Sequence, residues 1–408
     1  MRCHGLCRVR VRHQEPVDTM IEFEYWQLLL FPLFFGLGWA AARIDIRHLV
    51  QESRTLPRSY FQGLNFLLNE QPDRAIEAFV EAVKIDPQTI ELHFALGSLF
   101  RRRGETERAI RMHQNLIERE DLKQDLKLQA LAELGQDFLK AGLLDRAEEI
   151  FDKLRDSPLA EDAKRNLLEI YQLEKDWGKA IAIASELPDY ASHKEIAEYH
   201  CELAAAELIR SRCDLAVGHL QTALERNRKC VRASLLQGDI LLQQDQPLAA
   251  IESWQRIEQQ DPTYLALVAQ RLLDAFRKLD RRDKGLQLLR GYLEHYPSLD
   301  LLDVVFQLVL EGDGPDAAYK LVRDELKRNP TLLGFDKLLE ARLLIAPPES
   351  RPDLDLAKGI VQGYTRRLAR YRCDNCGFKA RQFYWRCPAC GGWETYSPKR
   401  TEEFDLTP

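Results

Sequence analysis

The sequence predicts an all-α fold, in which an array of helical hairpins follows an apolar segment and precedes a small metal-binding module. Three observations predict this fold: an uncharged run over residues 26–42, a pattern of small and aromatic residues that recurs about every 34 residues, and four cysteines between positions 373 and 390. At 408 residues, the chain is too long for one compact core. Its apolar content of 45% and charged content of 30% are typical of a folded protein.

The uncharged run at 26–42 reads WQLLLFPLFFGLGWAAA, with glutamates before it and arginines after it. A helix of this length spans about 25 Å, slightly less than the ~30 Å hydrocarbon core of a bilayer. A buried helix of a soluble protein is the alternative, but the run has no polar face. We therefore predict a transmembrane anchor over residues 20–43, followed by a juxtamembrane segment over 44–58.

The orientation of this anchor depends on the positive charges that flank it, because these stay on the cytoplasmic side. Residues 1–19 carry four arginines, which compete with the arginines after the run. A start at Met20 removes the conflict, so residues 1–19 are interpreted as a misannotated extension and the bulk of the chain is expected in the cytoplasm. A cleaved signal peptide ending near Ala40-Ala41-Ala42 is the rival interpretation.

The middle of the chain carries a repeat with a period near 34 residues. In its first copy, the pattern residues are Gly63, Phe66, Ala75, Phe79, Ala82 and Pro87. This spacing is typical of the tetratricopeptide repeat, in which small residues lie where two helices cross and a proline ends the second helix. We predict about eight repeats over residues 59–346, with a longer loop near 120–124. The small residue at the crossing recurs at Ala75, Ala109, Ala147, Ala180, Ala216, Ala250, Gly285 and Ala318.

Stacked hairpins of this kind bury their faces against one another and form a superhelix with an extended concave surface. Such a surface binds partners, and the first helix of each repeat usually lines it. The predicted partner-binding residues are Arg101, Arg102, Gln136, Lys140, Arg232, Asp239 and Gln243. Ordinary solvated helix surface is the alternative interpretation for each of them.

Signatures of catalysis and of nucleic-acid binding are missing from the helical region. The sequence has no G-x-S-x-G motif, no H-E-x-x-H motif and no phosphate-binding loop ending in G-K-[ST], so we predict that the protein is not an enzyme. A formal net charge of −6 does not indicate the basic surface that a nucleic-acid-binding domain usually carries. Cys201, Cys213 and Cys230 are isolated in this region and are predicted to be buried core residues.

The strongest local signal is a pair of C-x-x-C motifs with ten residues between them, formed by Cys373, Cys376, Cys387 and Cys390. Two residues between thiolates let both sulfurs bind one ion, and the spacer can form a hairpin that brings the two pairs together. Gly377 and Gly391 follow the pairs, where a positive φ angle lets the backbone turn around the metal. Four thiolates leave no open coordination position, so we predict one structural metal ion, iron or zinc, in a module over 371–398.

The region before this module, 347–370, is predicted as a linker with the sequence PPESRPD followed by a charged helix from about Leu354 to Arg370, and the region after it as a tail over 399–408. Basic residues around the cysteines leave one alternative open, a membrane-tethered zinc ribbon that binds nucleic acid. Electron transfer by a bound iron, as in rubredoxin, is a second alternative. A thioredoxin-like redox site fits less well, because it needs a single C-x-x-C at a strand–helix junction.

Together these segments resemble the lipopolysaccharide assembly protein B family of Gram-negative bacteria, inner-membrane tetratricopeptide proteins with a rubredoxin-like C-terminus. The resemblance extends over almost everything from Met20 onward. Its most specific pieces are YFQGLNFLL at 60–68, LFRRRGETERAIRMHQNLI at 99–117, and residues 371–393. Only the four cysteines carry over individually as functional residues.

The resemblance implies a non-enzymatic, single-pass adaptor of the bacterial inner membrane that limits lipopolysaccharide synthesis. Its implied partners are the membrane protease FtsH and the UDP-acyl-GlcNAc deacetylase that commits precursor to lipid A, whose degradation the adaptor promotes. The resemblance further implies that the protein organises other lipopolysaccharide assembly proteins, while its N-terminal helix contacts the lipid bilayer.

Overall fold

A computed structural model of the chain describes residues 32, 35–39, 58–85, 89–187, 193–368 and 371–400. These residues divide into two compact units between Met112 and His113. The described chain is mostly helical, and its two short strands lie in the C-terminal cysteine region. The predicted helical-repeat architecture with a C-terminal four-cysteine region is therefore confirmed.

The predicted anchor over residues 20–43 lies outside the described residues except for positions 32 and 35–39, which are helical and exposed. The extension at 1–19, nearly all of the juxtamembrane segment and most of the C-terminal tail also lie outside them. Within the described ranges, no helix is both long enough and apolar enough to cross a membrane.

From Arg58 onward, eighteen helices are described, and most are 13 to 15 residues long. In chain order they are α1 (Arg58–Leu68), α2 (Pro72–Ile85), α3 (Ile90–Arg102), α4 (Thr106–Glu118), α5 (Gln124–Lys140), α6 (Leu144–Lys153), α7 (Ala160–Glu174), α8 (Trp177–Ser185), α9 (His193–Ile209), α10 (Cys213–Arg226), α11 (Val231–Gln243), α12 (Pro247–Gln260), α13 (Leu265–Lys278), α14 (Arg282–His295), α15 (Leu299–Gly312), α16 (Pro315–Arg328), α17 (Leu332–Ile345) and α18 (Arg351–Leu368). A 3-10 turn, Pro262–Tyr264, precedes α13.

Consecutive helices form hairpins, and α1–α2 through α15–α16 give the eight predicted pairs. The small residue predicted at each crossing lies on the second helix of its pair and is buried in every case. The longer loop predicted near 120–124 is the connection between α4 and α5. Helices α17 and α18 pack against each other as a further pair after the last predicted crossing residue.

Each unit has its own apolar core. In the first unit, α1 to α4 bury a cluster that contains Ala75, Phe79, Leu96 and Phe100. In the second unit, the largest cluster runs from α11 to α17 and includes Trp254 and Phe306. These cores show why the pattern residues recur: small side chains allow close crossing, and large ones fill the space beside it.

Helix α18 begins earlier than the sequence suggested. The run PPESRPD was predicted as linker, but its last three residues, Arg351 to Asp353, form the first turn of α18. A proline is tolerated there because the N–H groups of the first turn have no partner within the helix. After α18, strands β1 (Tyr371–Arg372) and β2 (Lys379–Ala380) pair antiparallel, with Tyr371 opposite Ala380.

Candidate metal centre and its contacts with the repeats

The four predicted ligands come together at the C-terminus. All four Sγ atoms of Cys373, Cys376, Cys387 and Cys390 lie within 4.8 Å of one another. The Sγ atoms of Cys373 and Cys390 are 3.8 Å apart, and those of Cys376 and Cys387 are 3.7 Å apart. A tetrahedral ion with bonds of about 2.3 Å separates its sulfurs by about 3.8 Å, so the cluster fits one metal ion of the zinc or iron type.

Two tight turns hold these sulfurs in place. The amide of Gly377 donates to the carbonyl of Cys373, and the amide of Gly391 donates to the carbonyl of Cys387, both at 2.9 Å. Gly377 has φ +74° and Gly391 has φ +70°, which confirms the predicted left-handed conformation after each pair. Cys373 and Cys387 are buried, whereas the second cysteine of each pair is exposed. The arrangement therefore fixes a closed, structural site with one side toward solvent.

Polar side chains surround the sulfurs. The hydroxyl of Thr395 lies 3.3 Å from Sγ of Cys373, and the amide nitrogen of Asn375 donates to Sγ of Cys390 at 3.5 Å. Hydrogen bonds to thiolates orient metal ligands and spread their negative charge. Thr395 and Asn375 thus contact the ligand sulfurs without being ligands themselves, and the C-x-x-C spacing did not predict them.

The metal module, defined here as residues 371–400, packs against the repeats through aromatic side chains. Trp385 stacks on Tyr264 with ring centroids 5.4 Å apart and an interplanar angle of 3°. Trp393 meets the rings of Trp177 and Tyr199 edge-on, at 5.7 Å and 5.9 Å. Aromatic pairs of this kind each contribute about 0.5–1.5 kcal/mol beyond their buried area.

Arginines of the module contact the repeats at two places. Arg386 donates to the backbone carbonyl of Gln172 at 3.1 Å and to its side-chain oxygen at 3.0 Å. At the second place, Arg400 contacts both carboxylate oxygens of Asp300, and the hydroxyl of Tyr371 donates to the same carboxylate at 2.9 Å. Residues from the fourth to the eighth hairpin therefore touch a module of thirty residues.

The comparisons with known proteins agree with this architecture. A tetratricopeptide repeat family matches residues 62–120 and 201–264, and a rubredoxin metal binding domain family matches residues 371–398. The chain is 34% identical over 378 residues to lipopolysaccharide assembly protein B of Escherichia coli (strain K12), covering 91% of this chain and 97% of that protein. The protein of the same name from Haemophilus influenzae is 31% identical over 391 residues, covering 92% and 98%. The chain belongs to the lipopolysaccharide assembly protein B family.

In this member of the lipopolysaccharide assembly protein B family, all seven predicted partner-binding residues lie on first helices of hairpins: Arg101 and Arg102 on α3, Gln136 and Lys140 on α5, and Arg232, Asp239 and Gln243 on α11. Their local settings differ. Arg102, Lys140 and Gln243 are exposed, whereas the amide of Gln136 donates to Asn166 and Asp239 pairs with Arg271 at 2.8 Å. Partner binding by these residues remains a prediction.

Arg232 is buried beneath the metal module. Its guanidinium pairs with Glu198 at 3.2 Å and with Glu202 at 2.8 Å, and it lies 5.9 Å from the ring centroid of Trp385. The guanidinium therefore lies between the carboxyl groups of Glu198 and Glu202. The sequence predicted a partner-binding residue on the concave surface at this position, or ordinary solvated helix surface. The burial of Arg232 could not be predicted, because the module that covers it is more than a hundred residues away in the chain.

A second cysteine cluster lies next to this arginine. The Sγ atoms of Cys201 and Cys230 are 3.7 Å apart, and the thiol of Cys230 donates to Glu198 at 3.6 Å. Hydrogen bonding to Cys230 and burial raise the pKa of the Cys201 thiol, so it stays protonated. Because Arg232 already supplies the positive charge, we assign no metal here. The prediction that Cys201 and Cys230 are buried core residues is confirmed, whereas it is wrong for Cys213, which is only half-buried at the first position of α10.

The contacts between the metal module and the repeats were not predicted from the sequence. Phe383, Trp385 and Trp393 lie in a small module that cannot bury so many aromatic rings in its own core. This excess of aromatic residues was the available signal for a docking surface. This signal does not identify which helices of the repeats contact the metal module.

Proposed function

We propose that this protein is an adaptor of the bacterial inner membrane that limits lipopolysaccharide synthesis by presenting the UDP-acyl-GlcNAc deacetylase to the membrane protease FtsH. The observation that carries the proposal is the match along 97% of the length of a lipopolysaccharide assembly protein B. Such a match supports a role in the same process, and a repeat array is suited to binding other proteins.

A scaffold role is favoured over catalysis. The relatives are named as assembly proteins, and the matched families are a repeat and a metal-binding domain. Four thiolates occupy every position of a tetrahedral ion, which leaves no open position to activate water. The metal then stabilises the module, and the module in turn covers part of the repeat surface.

The proposed working arrangement has three parts. The predicted N-terminal helix holds the protein at the membrane, where it would meet the protease. The first helices of the hairpins would contact the deacetylase. Arg102 and Lys140 are the candidates, because both are exposed and lie outside the part of the repeats that the metal module covers. Other lipopolysaccharide assembly proteins could be gathered on the same scaffold.

The test is the half-life of the deacetylase after synthesis is stopped, measured by immunoblot in cells depleted of this protein. We expect the deacetylase to persist at least several-fold longer than in cells that express the full chain. An unchanged half-life would overturn the proteolytic role and favour a scaffold that organises enzymes without degradation.

The partner surface is tested in the same assay with charge-reversal variants. Arg102→Glu and Lys140→Glu should each lengthen the deacetylase half-life, because both residues are exposed on first helices. Lys320→Glu is the matched control, since Lys320 is an exposed lysine on the second helix α16. Equal effects of Lys140→Glu and Lys320→Glu would contradict this choice of surface.

A further inference from the structure

Two neighbouring cavities lie beside the loops that join successive hairpins near the end of the repeats. The larger has a volume of about 390 Å³ and lies between the α14–α15 loop and the α16–α17 loop. The smaller, of about 220 Å³, lies between the 3-10 turn before α13 and the same α14–α15 loop. Pro297, Ser298 and Lys399 border both cavities. The larger cavity is called the loop pocket below.

The loop pocket combines apolar walls with positive charge. Its apolar lining comes from Pro297, Leu299, Leu302, Leu326 and Pro330. Arg328 and Lys399 add two cations, and the one acidic side chain of the lining, Glu325, accepts a hydrogen bond from Asn329 at 2.7 Å. The first turns of α15 and α17 also border the pocket, and the positive end of a helix dipole attracts acidic groups. The pocket therefore suits a segment that carries both apolar and acidic side chains.

The metal module leads the chain to the edge of this pocket. Lys399 lines the pocket, and Arg400 contacts both carboxylate oxygens of Asp300 in the first turn of α15. The segment 401–408, with the sequence TEEFDLTP, follows directly and lies outside the described residues. Four residues of extended chain span about 13 Å, so Phe404 is within reach of the pocket.

We propose that the segment 401–408 occupies the loop pocket of its own chain, with Phe404 and Leu406 against the apolar walls. In an extended segment these two side chains point to one side, whereas Glu403 and Asp405 point to the other, because the period of extended chain is two residues. An apolar cavity of about 150 Å³ holds a benzene ring, so a pocket of this size has room for both apolar side chains.

Charge and tethering favour this segment over a second protein. Residues 401–408 contain three acids and no base. They face Arg328 and Lys399 of the pocket, and the last turn of α16 adds Lys327, which is exposed. Because Arg400 holds the segment beside the pocket, its effective concentration there is about millimolar, so that even weak contacts keep it bound. The docked segment thus attaches the metal module to α15, α16 and α17.

The first test is hydrogen exchange of the full chain that carries Phe404→Ala. We expect exchange at 297–302 and 328–334 to rise several-fold, because these residues lose the apolar group that covers them. Phe61→Ala is the matched control, since Phe61 is a phenylalanine of α1 with 59% of its surface exposed and does not line the pocket. Unchanged exchange in Phe404→Ala, or an equal rise in both variants, would overturn the proposal.

The second test uses a fluorescent peptide with the sequence of residues 401–408. It is titrated into a chain that stops after Arg400 and therefore keeps every described residue. We expect a Kd of about 100 μM or tighter by fluorescence anisotropy, which a tethered segment at millimolar effective concentration would exceed. The peptide with Phe404→Ala should bind about tenfold more weakly or worse. A Kd above about 1 mM for the unmodified peptide would exclude the docking.

The same titration tests the charges of the pocket. Arg328→Glu in the shortened chain should weaken peptide binding about tenfold at low salt, because attraction to the acidic peptide becomes repulsion. Lys320→Glu is the matched control, since Lys320 is an exposed lysine of the same helix α16 that does not line the pocket. Equal affinities of these two variants would show that the peptide binds elsewhere.

The remaining measurements distinguish other occupants of the pocket. The full chain should bind the peptide at least about tenfold more weakly than the shortened chain, because its own segment competes. Equal binding by both chains would mean that the pocket is open to a segment of another protein, and the proposal would be wrong. A full chain that sediments as a dimer, and becomes a monomer when 401–408 are removed, would place the segment in a second copy instead.

Discussion

At the scale of single residues, Glu198 is a buried carboxyl group of α9 that faces the metal module. It lines a cavity of about 190 Å³ together with Lys194, Glu195, Trp393 and Glu394. Burial raises the pKa of Glu198 to about 7, although the charge of Arg232 opposes the shift. Burial also raises the pKa values of Glu195 and Glu394. Three carboxyl groups with raised pKa values therefore meet beneath the module.

A raised pKa makes the stability of this region depend on pH. The folded protein holds a proton on Glu198 that the unfolded chain, with a pKa near 4.5, has already lost. The free energy of unfolding therefore falls as the pH rises from about 4.5 to about 7, with a slope of at most about 1.4 kcal/mol per pH unit from this group.

We predict that Glu198→Gln flattens this pH dependence, because the glutamine carries no titrating proton. The measurement is urea-induced unfolding of the full chain at pH 5.5, 6.5 and 7.5. The absolute stability of the variant can change through the lost pairing with Arg232, so the slope is the informative quantity. An identical slope for variant and unmodified protein would show that other groups control the pH response.

At the scale of the elements, each hairpin depends on a small residue at the helix crossing. In the sixth hairpin, Gly238 of α11 lies against Trp254 of α12, which is fully buried. A Cβ atom at position 238 would overlap Nε1 of this ring. The same Nε1 donates to the carbonyl of Leu235 at 3.1 Å, one turn earlier on α11, so the ring is also tied to this helix.

We predict that Gly238→Ala lowers the free energy of unfolding by about 1–3 kcal/mol, because the ring cannot move away without losing its hydrogen bond. Gly218→Ala on α10 is the control, since a Cβ atom there would meet nothing within 4 Å. That change should raise helix stability by up to about 1 kcal/mol. Thermal unfolding of both variants gives the comparison, and a loss of similar size in each would rule out the steric explanation.

At the scale of the whole molecule, the metal module links helices that are distant in the chain. Arg386 contacts a residue 214 positions earlier, and Arg400 contacts one 100 positions earlier. For zinc, metal binding supplies roughly 10–16 kcal/mol to fold a module of this kind. The contacts with the repeats are thus expected to depend on the bound metal.

We predict that Cys387→Ser loses the metal and frees the module from the repeats. Metal analysis of the purified full chain should fall from one equivalent of zinc or iron to less than about a tenth. Hydrogen exchange should rise in the module and also in α7, α9 and residues 262–264, where Gln172, Tyr199 and Tyr264 meet it.

Cys213→Ser is the matched control for this experiment, because Cys213 is a half-buried free thiol outside the four-cysteine cluster. It should keep its metal and its exchange pattern. If Cys387→Ser loses the metal while exchange in α7 and α9 stays slow, the module holds its position without metal and the coupling is wrong.

The sequence by itself determined the helical hairpins and the four-cysteine cluster. Crossing residues such as Ala147 and Ala250 recur at a fixed period, and the ligand pairs at 373 and 387 are set by local turns. Both signals depend on residues that are close in the chain, where backbone geometry fixes which side chains meet.

Only the tertiary structure decided where the metal module lies and which polar residues it covers. Arg232 has the same periodic position as an exposed residue, yet Trp385 and two glutamates surround it. Contacts between residues more than a hundred positions apart leave no period in the sequence, because they depend on how the stacked hairpins curve and on which aromatic rings find room. For this reason the hairpins and the four-cysteine cluster could be predicted from the sequence. The packing of the metal module on the repeats is seen only in the tertiary structure.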